Sequence, residues 1–336
     1  MKRALGDEKL GGGGGGSTWR WMQGPVRLGI SACLLGQKVR FDGGHKRDAF
    51  LVETFGQWVE WVPLCPEVEV GMGIPRPAIR LERREGAIRL VDPKNGKDWT
   101  EAMLAYAGEK VEALGRLDLS GFVLKKDSPS CGMERVRVYG GGMPRREGRG
   151  LFAQVLMEAF PNLPVEEEGR LCDPRLRENF VERVFAYSRL KALFSSPWTR
   201  ASLVAFHTAH KLQLLAHSPK LYQELGQLVA QAKNLGRREL AERYSQTFMT
   251  CLKTMSTRAR NTNVLQHMAG YFKKQLSPED RVELHGVIED FRRGLVPLIV
   301  PITLIRHFVR ALGGDYLAGQ TYLEPHPREL MLRNHV

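Results

Sequence analysis

Short apolar runs alternate with longer amphipathic segments over the first half of the chain. The short runs predict strands, and apolar residues at helical spacing predict helices. The predicted strands are 26–31, 58–64 and 121–124, and the predicted helices are 45–55 and 99–115. An alternating run at 87–91, followed by turn residues at 92–96, predicts a small hairpin or an edge strand. Strands and helices in alternation favour an α/β domain, with helices on the faces of a parallel sheet.

Beyond Pro174 the strand signals fade and helical periodicity takes over. Three Ser-Pro pairs there combine an N-cap residue with a proline in the first turn, which is typical of helix starts. They predict helices that begin near 197, 219 and 278, and periodicity predicts further helices at 237–255, 261–276 and 301–312. The second half is therefore predicted to be a separate all-α domain.

The chain has 336 residues, 43% of them hydrophobic, and is long enough for two domains with cores of their own. We place the α/β domain at 26–175 and the all-α domain at 190–336. Residues 1–25 contain six consecutive glycines, which cannot offset their ordering entropy. We therefore predict a flexible leader there.

The net charge of +13 is concentrated in the second half, where residues 182–336 hold 22 Lys and Arg against 12 Asp and Glu. A basic surplus in one domain favours a polyanionic partner such as RNA, although a merely soluble basic surface explains the same numbers.

The most apolar segment, 295–305, contains two prolines and lies between Arg293 and Arg306, so no membrane span is predicted. Five cysteines without paired short spacings predict a reducing, cytoplasmic location.

Three of the five cysteines, Cys33, Cys65 and Cys131, follow predicted strands by a few residues and stand in turn-like settings. In an open parallel sheet, ligands gather outside the carboxyl ends of the strands, so these thiols are expected to converge. Cysteine-only ligation selects zinc or an iron–sulfur cluster, and three ligands leave one metal position open. The alternative is that all three are small buried residues in strand-end loops. The other two, Cys172 and Cys251, are predicted to be structural.

Polar residues beside these cysteines extend the candidate site. Glu67, two residues after the second cysteine, is a candidate general acid and base. Ser128, three residues before the third cysteine, is a candidate hydrogen-bond donor to the substrate or to a cluster sulfur. Arg76, in a rigid turn of glycines and prolines, and Ser130 are predicted to bind substrate. An exposed turn carboxylate, a local cap hydroxyl and a loop arginine are the alternatives.

Four motifs follow one another along the first domain: CLLG at Cys33, CPE at Cys65, GIPRP at Gly73 and KKDSPSCG at Lys125. Together they resemble the bacterial thiouracil desulfidase family over about 26–170. The resemblance implies a Rossmann-like domain whose three cysteines hold a [4Fe-4S] cluster, with one iron free to take the sulfur of a thiolated pyrimidine. It also implies that Glu67 and Ser128 take part in the reaction. Phe41 and Ala78 depart from the family pattern, in which tyrosine and proline are common there.

Two segments of the helical half, 206–211 and 263–274, resemble the YbgA-type helical domain that is often fused to this family. Fused forms of this kind are associated with removing sulfur from 4-thiouridine in tRNA, and the basic charge fits that role. The resemblance thus implies a hydrolytic, [4Fe-4S]-dependent desulfidase of thiolated tRNA. Three alternatives stay open: a desulfidase of free 2-thiouracil or thionucleosides, a non-catalytic RNA-binding iron–sulfur redox sensor, and a structural protein stabilised by zinc.

Overall fold

The computed structural model describes residues 25–195 and 197–336, which divide into two compact units, 25–176 and 177–336. The predicted leader lies outside the described residues except for Pro25. The first unit is an α/β domain and the second is built of helices, which confirms the predicted fold class. No helix in the described part of the chain is long and apolar enough to cross a membrane.

The first unit contains two four-stranded sheets. Its strands are β1 Arg27–Ser31, β2 Glu60–Leu64, β3 Arg80–Arg84, β4 Ala87–Val91, β5 Leu119–Leu124, β6 Val136–Tyr139, β7 Arg145–Gly148 and β8 Val165–Glu167, and its helices are α1 Pro66–Glu69, α2 Thr100–Gly115 and α3 Leu151–Ala159. The main sheet has the strand order β2-β1-β5-β8, and every neighbouring pair is parallel. The predicted parallel sheet is therefore present.

The main sheet is packed on both faces, as parallel sheets are. All six residues of β5 are buried. Helix α3 covers the sheet at Phe152, whose ring lies 6.1 Å from the ring of Phe122 in β5. Gly29 in β1 packs against the same ring, since a Cβ at this position would lie 2.1 Å from the Phe122 side chain. Two tightly packed central strands thus support the loops that follow them.

The second sheet has the strand order β4-β3-β6-β7. Strands β3 and β4 form an antiparallel hairpin whose turn residues, Glu85 and Gly86, both have positive φ, so the predicted hairpin at 87–91 is present. Strand β6 pairs in parallel with β3 and antiparallel with β7. The sequence prediction contains neither β3 nor β7, because arginine and glutamate occupy most of their positions.

The helix predicted at 45–55 is wrong over its first half. Residues 45–48 are irregular, and helical turns begin only near Phe50, first of π and then of 3₁₀ type, and end at Gln57. The physical reason is tertiary, because the amides of Lys46 and Asp48 donate to the carbonyls of Cys33 and Leu34, both at 2.9 Å. These bonds hold the segment in an extended form against the loop after β1.

The second unit is formed by helices of very different length. They are α4 Pro174–Ser195, which begins in the last residues of the first unit, α5 Arg200–His217, α6 Pro219–Ala230, α7 Arg237–Lys253, α8 Arg258–Tyr271, α9 Pro278–Arg293, α10 Ile299–Leu312 and α11 Asp315–Ala318. Ser218 and Ser277 cap α6 and α9, as predicted. Helix α5 starts three residues later than expected, because Thr199 caps it in a capping box with Ser202. Ser196, the predicted cap, lies outside the described residues.

A hydrogen-bonded polar cluster is buried among these helices. Glu182 accepts hydrogen bonds from Gln213 Nε2 at 2.8 Å and from His217 Nε2 at 3.2 Å, and Arg333 Nη2 lies 3.9 Å away. Burial alone would raise the pKa of Glu182, but the charges of His217 and Arg333 outweigh it and lower the pKa below its ordinary value. Burial likewise favours neutral His217, yet Glu182 raises the pKa of this imidazole above its ordinary value.

We expect the second unit to lose stability as the pH rises through the raised pKa of His217. A group with a higher pKa in the folded state stabilises fully below its unfolded pKa, about 6.5 for histidine, and that contribution disappears above the folded pKa. Glu182 acts in the opposite direction, since its lowered pKa contributes stability above about pH 4.3 that is lost only on acidification. Hydrogen exchange of α4 and α5 amides, corrected for intrinsic rates, measures this loss. The variant His217→Gln should remove the alkaline dependence, and an unchanged dependence contradicts the assignment.

Candidate functional site

Three loops at the carboxyl ends of adjacent strands bring the predicted cysteines to one cavity. Cys33 follows β1, Cys65 follows β2, and Cys131 lies in the loop after β5. These three strands are neighbours in the main sheet, and all three cysteines line a cavity of about 370 Å³. Cys33 and Cys131 are buried, whereas Cys65 is half-buried. The fold therefore produces the convergence that strand-end positions lead one to expect.

Cys33 lies in a short 3₁₀ turn, Ala32–Leu35, that ends at Gly36 with a φ of 92°. Glycine suits this left-handed position because any other side chain would be strained there. The turn is also held from outside by the amide hydrogen bonds of residues 46 and 48 described above. Burial raises the pKa of the Cys33 thiol to about 11, and the neighbouring Cys65 adds to the increase.

Cys65 is the N-cap residue of α1. Its amide donates to Glu69 Oε1 at 3.1 Å, and its thiol lies 3.7 Å from the carbonyl oxygen of Val39. Glu69 is fixed in turn by Lys110 Nζ at 2.6 Å and by the Tyr106 hydroxyl at 2.9 Å. Burial raises the pKa of the Cys65 thiol. The position of this cysteine thus depends on contacts from α2.

Cys131 lies in a turn that folds around the side chain of Ser128. Ser128 Oγ accepts hydrogen bonds from the amides of Ser130 at 3.3 Å and of Cys131 at 3.1 Å, and the Gly132 amide donates to the Ser128 carbonyl at 2.7 Å. Gly150 packs against this turn, since a Cβ there would lie 2.5 Å from the carbonyl carbon of Ser130. Burial raises the pKa of the Cys131 thiol well above its ordinary value.

The carboxylate of Glu67 links the Cys65 loop to the Cys131 turn. Ser130 Oγ donates to Glu67 Oε1 at 2.5 Å. Ser128 Oγ lies 3.4 Å from the same carboxylate oxygen and 3.2 Å from Ser130 Oγ. Two hydroxyl groups therefore contact one carboxylate oxygen beside the cavity, an arrangement that can hold a proton or pass it on.

Arg76 is buried, and all of its N–H groups face protein acceptors. Its Nε and Nη2 donate to Glu67 Oε2 at 3.0 and 2.5 Å. Its Nη1 donates to the carbonyls of Val39 and Gly73 at 3.1 and 3.0 Å, and Nη2 also donates to Val39 at 3.1 Å. An arginine has five N–H donors, so this guanidinium keeps no free donor for the substrate contact that the sequence predicts.

The seven predicted site residues meet in one place. Ser130 is fully buried behind Glu67, and the other six line the cavity: Cys33, Cys65, Cys131, Glu67, Arg76 and Ser128. Sequence reasoning missed Ser31 and Lys125, which also line the cavity. Ser31 Oγ accepts the amide of Lys125 at 3.0 Å, and the Lys125 ammonium pairs with Glu168. The lysine pair before the Ser-Pro-Ser-Cys run is a sequence signal that indicates Lys125, whereas nothing beside Ser31 distinguishes it.

Comparison with known proteins assigns families to both units. Residues 28–168 match the family model described as 2-thiouracil desulfurase, and residues 211–327 match DUF1722, described as a protein of unknown function. The Escherichia coli protein named "Uncharacterized protein YbgA" is 34% identical over 163 residues, which are 48% of this chain and 95% of that protein. The chain belongs to the YbgA family. Residues 28–168 are its 2-thiouracil desulfurase domain, which confirms the resemblance of the four motifs.

Two further proteins are similar to this YbgA-family chain. The Bacillus subtilis "Uncharacterized protein YbbK" is 26% identical over 147 residues, which are 41% of this chain and 95% of that protein. A solved structure described as "[4Fe-4S]-dependent thiouracil desulfidase TudS" is 30% identical and covers 44% of this chain and 93% of its own, with a TM-score of 0.37. The cavity with the three cysteines lies within the desulfurase domain of the YbgA-family chain.

Proposed function

We propose that this chain is a [4Fe-4S]-dependent desulfidase that replaces the sulfur of 4-thiouridine in tRNA by oxygen. One observation carries the proposal: cysteines from three adjacent strand ends line one cavity together with Glu67, whose carboxylate is held by Ser130 and Arg76. The match of residues 28–168 to the 2-thiouracil desulfurase family supports the class of reaction. The products would be uridine and sulfide.

The donor set at the cavity fits an iron–sulfur cluster. Cys33, Cys65 and Cys131 would hold it, and soft thiolates are the ligands that such clusters take. In the described residues no group of three or more His, Cys, Asp or Glu side chains is arranged to hold a metal ion. An iron–sulfur cluster does not need its cysteines to surround one metal ion, because each thiolate binds a different iron atom. When bound through three cysteines, it would supply an iron with a free coordination position for the sulfur.

The overall reaction exchanges one atom and transfers no electrons. The oxygen of a water molecule replaces the thiocarbonyl sulfur at C4 of the pyrimidine, and both protons of that water leave with the sulfur as hydrogen sulfide. A proton must therefore move from the attacking water towards the departing sulfur. A fixed carboxylate within reach of both is the group that this transfer needs.

Glu67 is the proposed carrier of that proton. Arg76 fixes its Oε2, while Ser130 and Ser128 contact its Oε1, so the carboxylate keeps one orientation beside the cavity. Ser128 lines the cavity and would hold the water or the substrate by a hydrogen bond. Arg76 acts as a positioning residue for Glu67 in this proposal, because none of its donors is available to the substrate.

The charge of the second half favours tRNA as the carrier of the thiolated base. Its basic excess includes five exposed lysines, Lys220, Lys233, Lys253, Lys273 and Lys274. Contacts of this kind with phosphates supply affinity without reading sequence. The description of the matching family favours a second candidate, a desulfidase of free 2-thiouracil. The two candidates share the catalytic cavity and differ in whether a polynucleotide is required.

We expect protein that is purified without oxygen and reconstituted with iron and sulfide to bleach the near-ultraviolet absorbance of 4-thiouridine in tRNA. Sulfide should appear in equal amount, because each exchange releases one sulfur atom. Zinc-loaded protein is the matched control and should do neither. If the tRNA absorbance persists while free 2-thiouracil is consumed, the second candidate replaces the first. If neither substrate changes with an intact cluster present, the redox-sensor alternative is favoured.

A further inference from the structure

The second sheet of the first unit presents a row of arginines on one face. Leu81 in β3 and Val136 and Val138 in β6 are buried, so the residues between them face the other way, because side chains alternate along a strand. The outward positions hold Arg80, Glu82 and Arg84 in β3, Arg137 and Tyr139 in β6, and Arg146 opposite Arg137 in β7. We call this set the arginine face.

The arginine face borders a second cavity, which adjoins the catalytic one. This second cavity measures about 300 Å³ and is lined in part by Arg80, Arg137 and Tyr139. Three residues line both cavities: Ile79, Asp127 and Pro129. The two cavities therefore share part of their walls within the first unit.

The guanidinium of Arg80 is held in a fixed plane beside this cavity. Its Cζ lies 4.7 Å from the centroid of the Tyr139 ring, a cation–π contact. Glu82 pairs with both Arg80 at 2.8 Å and Arg84 at 3.0 Å. One carboxylate carries a single negative charge, so it does not neutralise both arginines. Hydrogen bonds from these two arginines lower the pKa of Glu82.

Strands β6 and β7 add further positive charge. Arg137 is exposed and, within the described residues, makes no ion pair with another side chain. Its cross-strand neighbour Arg146 pairs with Asp127 at 3.0 Å, and both partners are about half exposed. Opposed like charges on adjacent strands are unfavourable unless an anion screens them. The arginine face thus has a surplus of cations beside the second cavity, which adjoins the catalytic one.

We propose that the arginine face binds the phosphodiester backbone of RNA next to the thiolated nucleotide. Guanidinium groups match phosphate oxygens in geometry and charge, and the Tyr139 ring offers a surface for a neighbouring base or sugar. Several arginines spread over three strands suit a run of phosphates rather than a single one. This inference rests on the proposed function and deepens it, since it assigns a part of the RNA binding to the desulfurase domain itself. A base inside folded RNA must be exposed before reaction, and the backbone contact would hold it exposed.

The test is the salt dependence of tRNA binding by the full-length protein, with unmodified tRNA as the probe. Arg137→Gln removes one phosphate contact, so affinity should fall roughly tenfold and the log–log salt slope should decrease by about one. Arg116→Gln is the matched control, because Arg116 is exposed at the end of α2 and lines neither cavity. It should bind as the wild type does. Melting temperatures of both variants confirm that they are folded.

Three outcomes would overturn the proposal. The first is wild-type affinity and slope in Arg137→Gln, and the second is an equal loss in Arg116→Gln, which indicates unspecific charge. In the third, Arg137→Gln binds uridine monophosphate more weakly than the wild type does, but the salt slope of tRNA binding is unchanged. This result would assign the second cavity to the phosphate of a free nucleotide. The binding measurement needs no turnover. It therefore distinguishes a failure of the desulfidase proposal from a failure of the proposal that the arginine face binds RNA.

Discussion

Replacing Cys131 by serine is expected to abolish turnover and to remove the iron–sulfur cluster at the same time. Cys131 is buried at the cavity wall, and only two of the three proposed cluster ligands remain without it. A serine hydroxyl is a poor substitute because clusters are held by thiolates. The visible absorbance of the reconstituted protein, its iron and acid-labile sulfide content, and sulfide release from substrate should all be lost together.

Cys172→Ser is the matched control for this substitution. Cys172 is exposed and lies outside the cavity lining, so the cluster and the activity should stay at wild-type levels. A Cys131→Ser protein that retains turnover refutes the ligand assignment. Loss of the cluster in both variants would point to general damage by cysteine substitution and would leave no support for a specific site.

Replacing Glu67 by glutamine is expected to lower kcat by about a hundredfold or more while the cluster content is unchanged. The amide has the shape of the carboxylate, and it keeps the hydrogen bonds by turning its oxygen to Arg76 and its NH₂ to Ser130, whose hydroxyl then accepts. What it loses is the ability to carry a proton. Stopped-flow absorbance of thiolated substrate, with iron quantified in the same sample, separates this effect from cluster loss.

The control for Glu67→Gln is Glu60→Gln on the strand that leads to the same loop. Glu60 is about half exposed and pairs with Arg27 on the neighbouring strand at 3.1 Å. Such exposed pairs contribute little, so the variant should retain wild-type kcat. Wild-type kcat in Glu67→Gln excludes this carboxylate as the proton carrier. A parallel loss of iron would instead assign Glu67 to the architecture of the cluster loops.

Three of the four main-sheet strands, β1, β2 and β5, were predicted because they are largely apolar, and the candidate chemistry follows their ends. The fourth strand, β8, reads Val-Glu-Glu and was not predicted. Cys33 and Cys65 stand within two residues of the ends of predicted strands, and the sheet order makes those strands neighbours. The second sheet could not be predicted in the same way. Strand β3 reads Arg-Leu-Glu-Arg-Arg, so its one buried leucine gives no alternation to detect. Its pairing with β6 joins residues that are 57 positions apart, Leu81 with Val138 and Glu82 with Tyr139.

The role of Arg76 shows a second limit of sequence reasoning. A rigid glycine- and proline-rich turn suggests an arginine presented to a ligand, and nothing local indicates otherwise. Its acceptors are the carboxylate of Glu67 and the carbonyls of Val39 and Gly73, two of which come from other loops. Which loop carbonyls face a guanidinium is decided by tertiary packing. The sequence therefore placed Arg76 at the site but gave no indication of these acceptors, and its role towards the substrate stays a prediction.

The order of the main sheet has a consequence for how the protein matures. The strands that carry Cys33 and Cys65 are adjacent and are made early, but the site lacks Cys131 until β5 is inserted between β1 and β8. Cys131 lies in the loop after β5, so the chain must extend beyond this position before three thiols share a cavity. A chain that stalls before Cys131 is made offers at most two of the three. Acquisition of the cofactor would then report that this half of the protein has folded correctly.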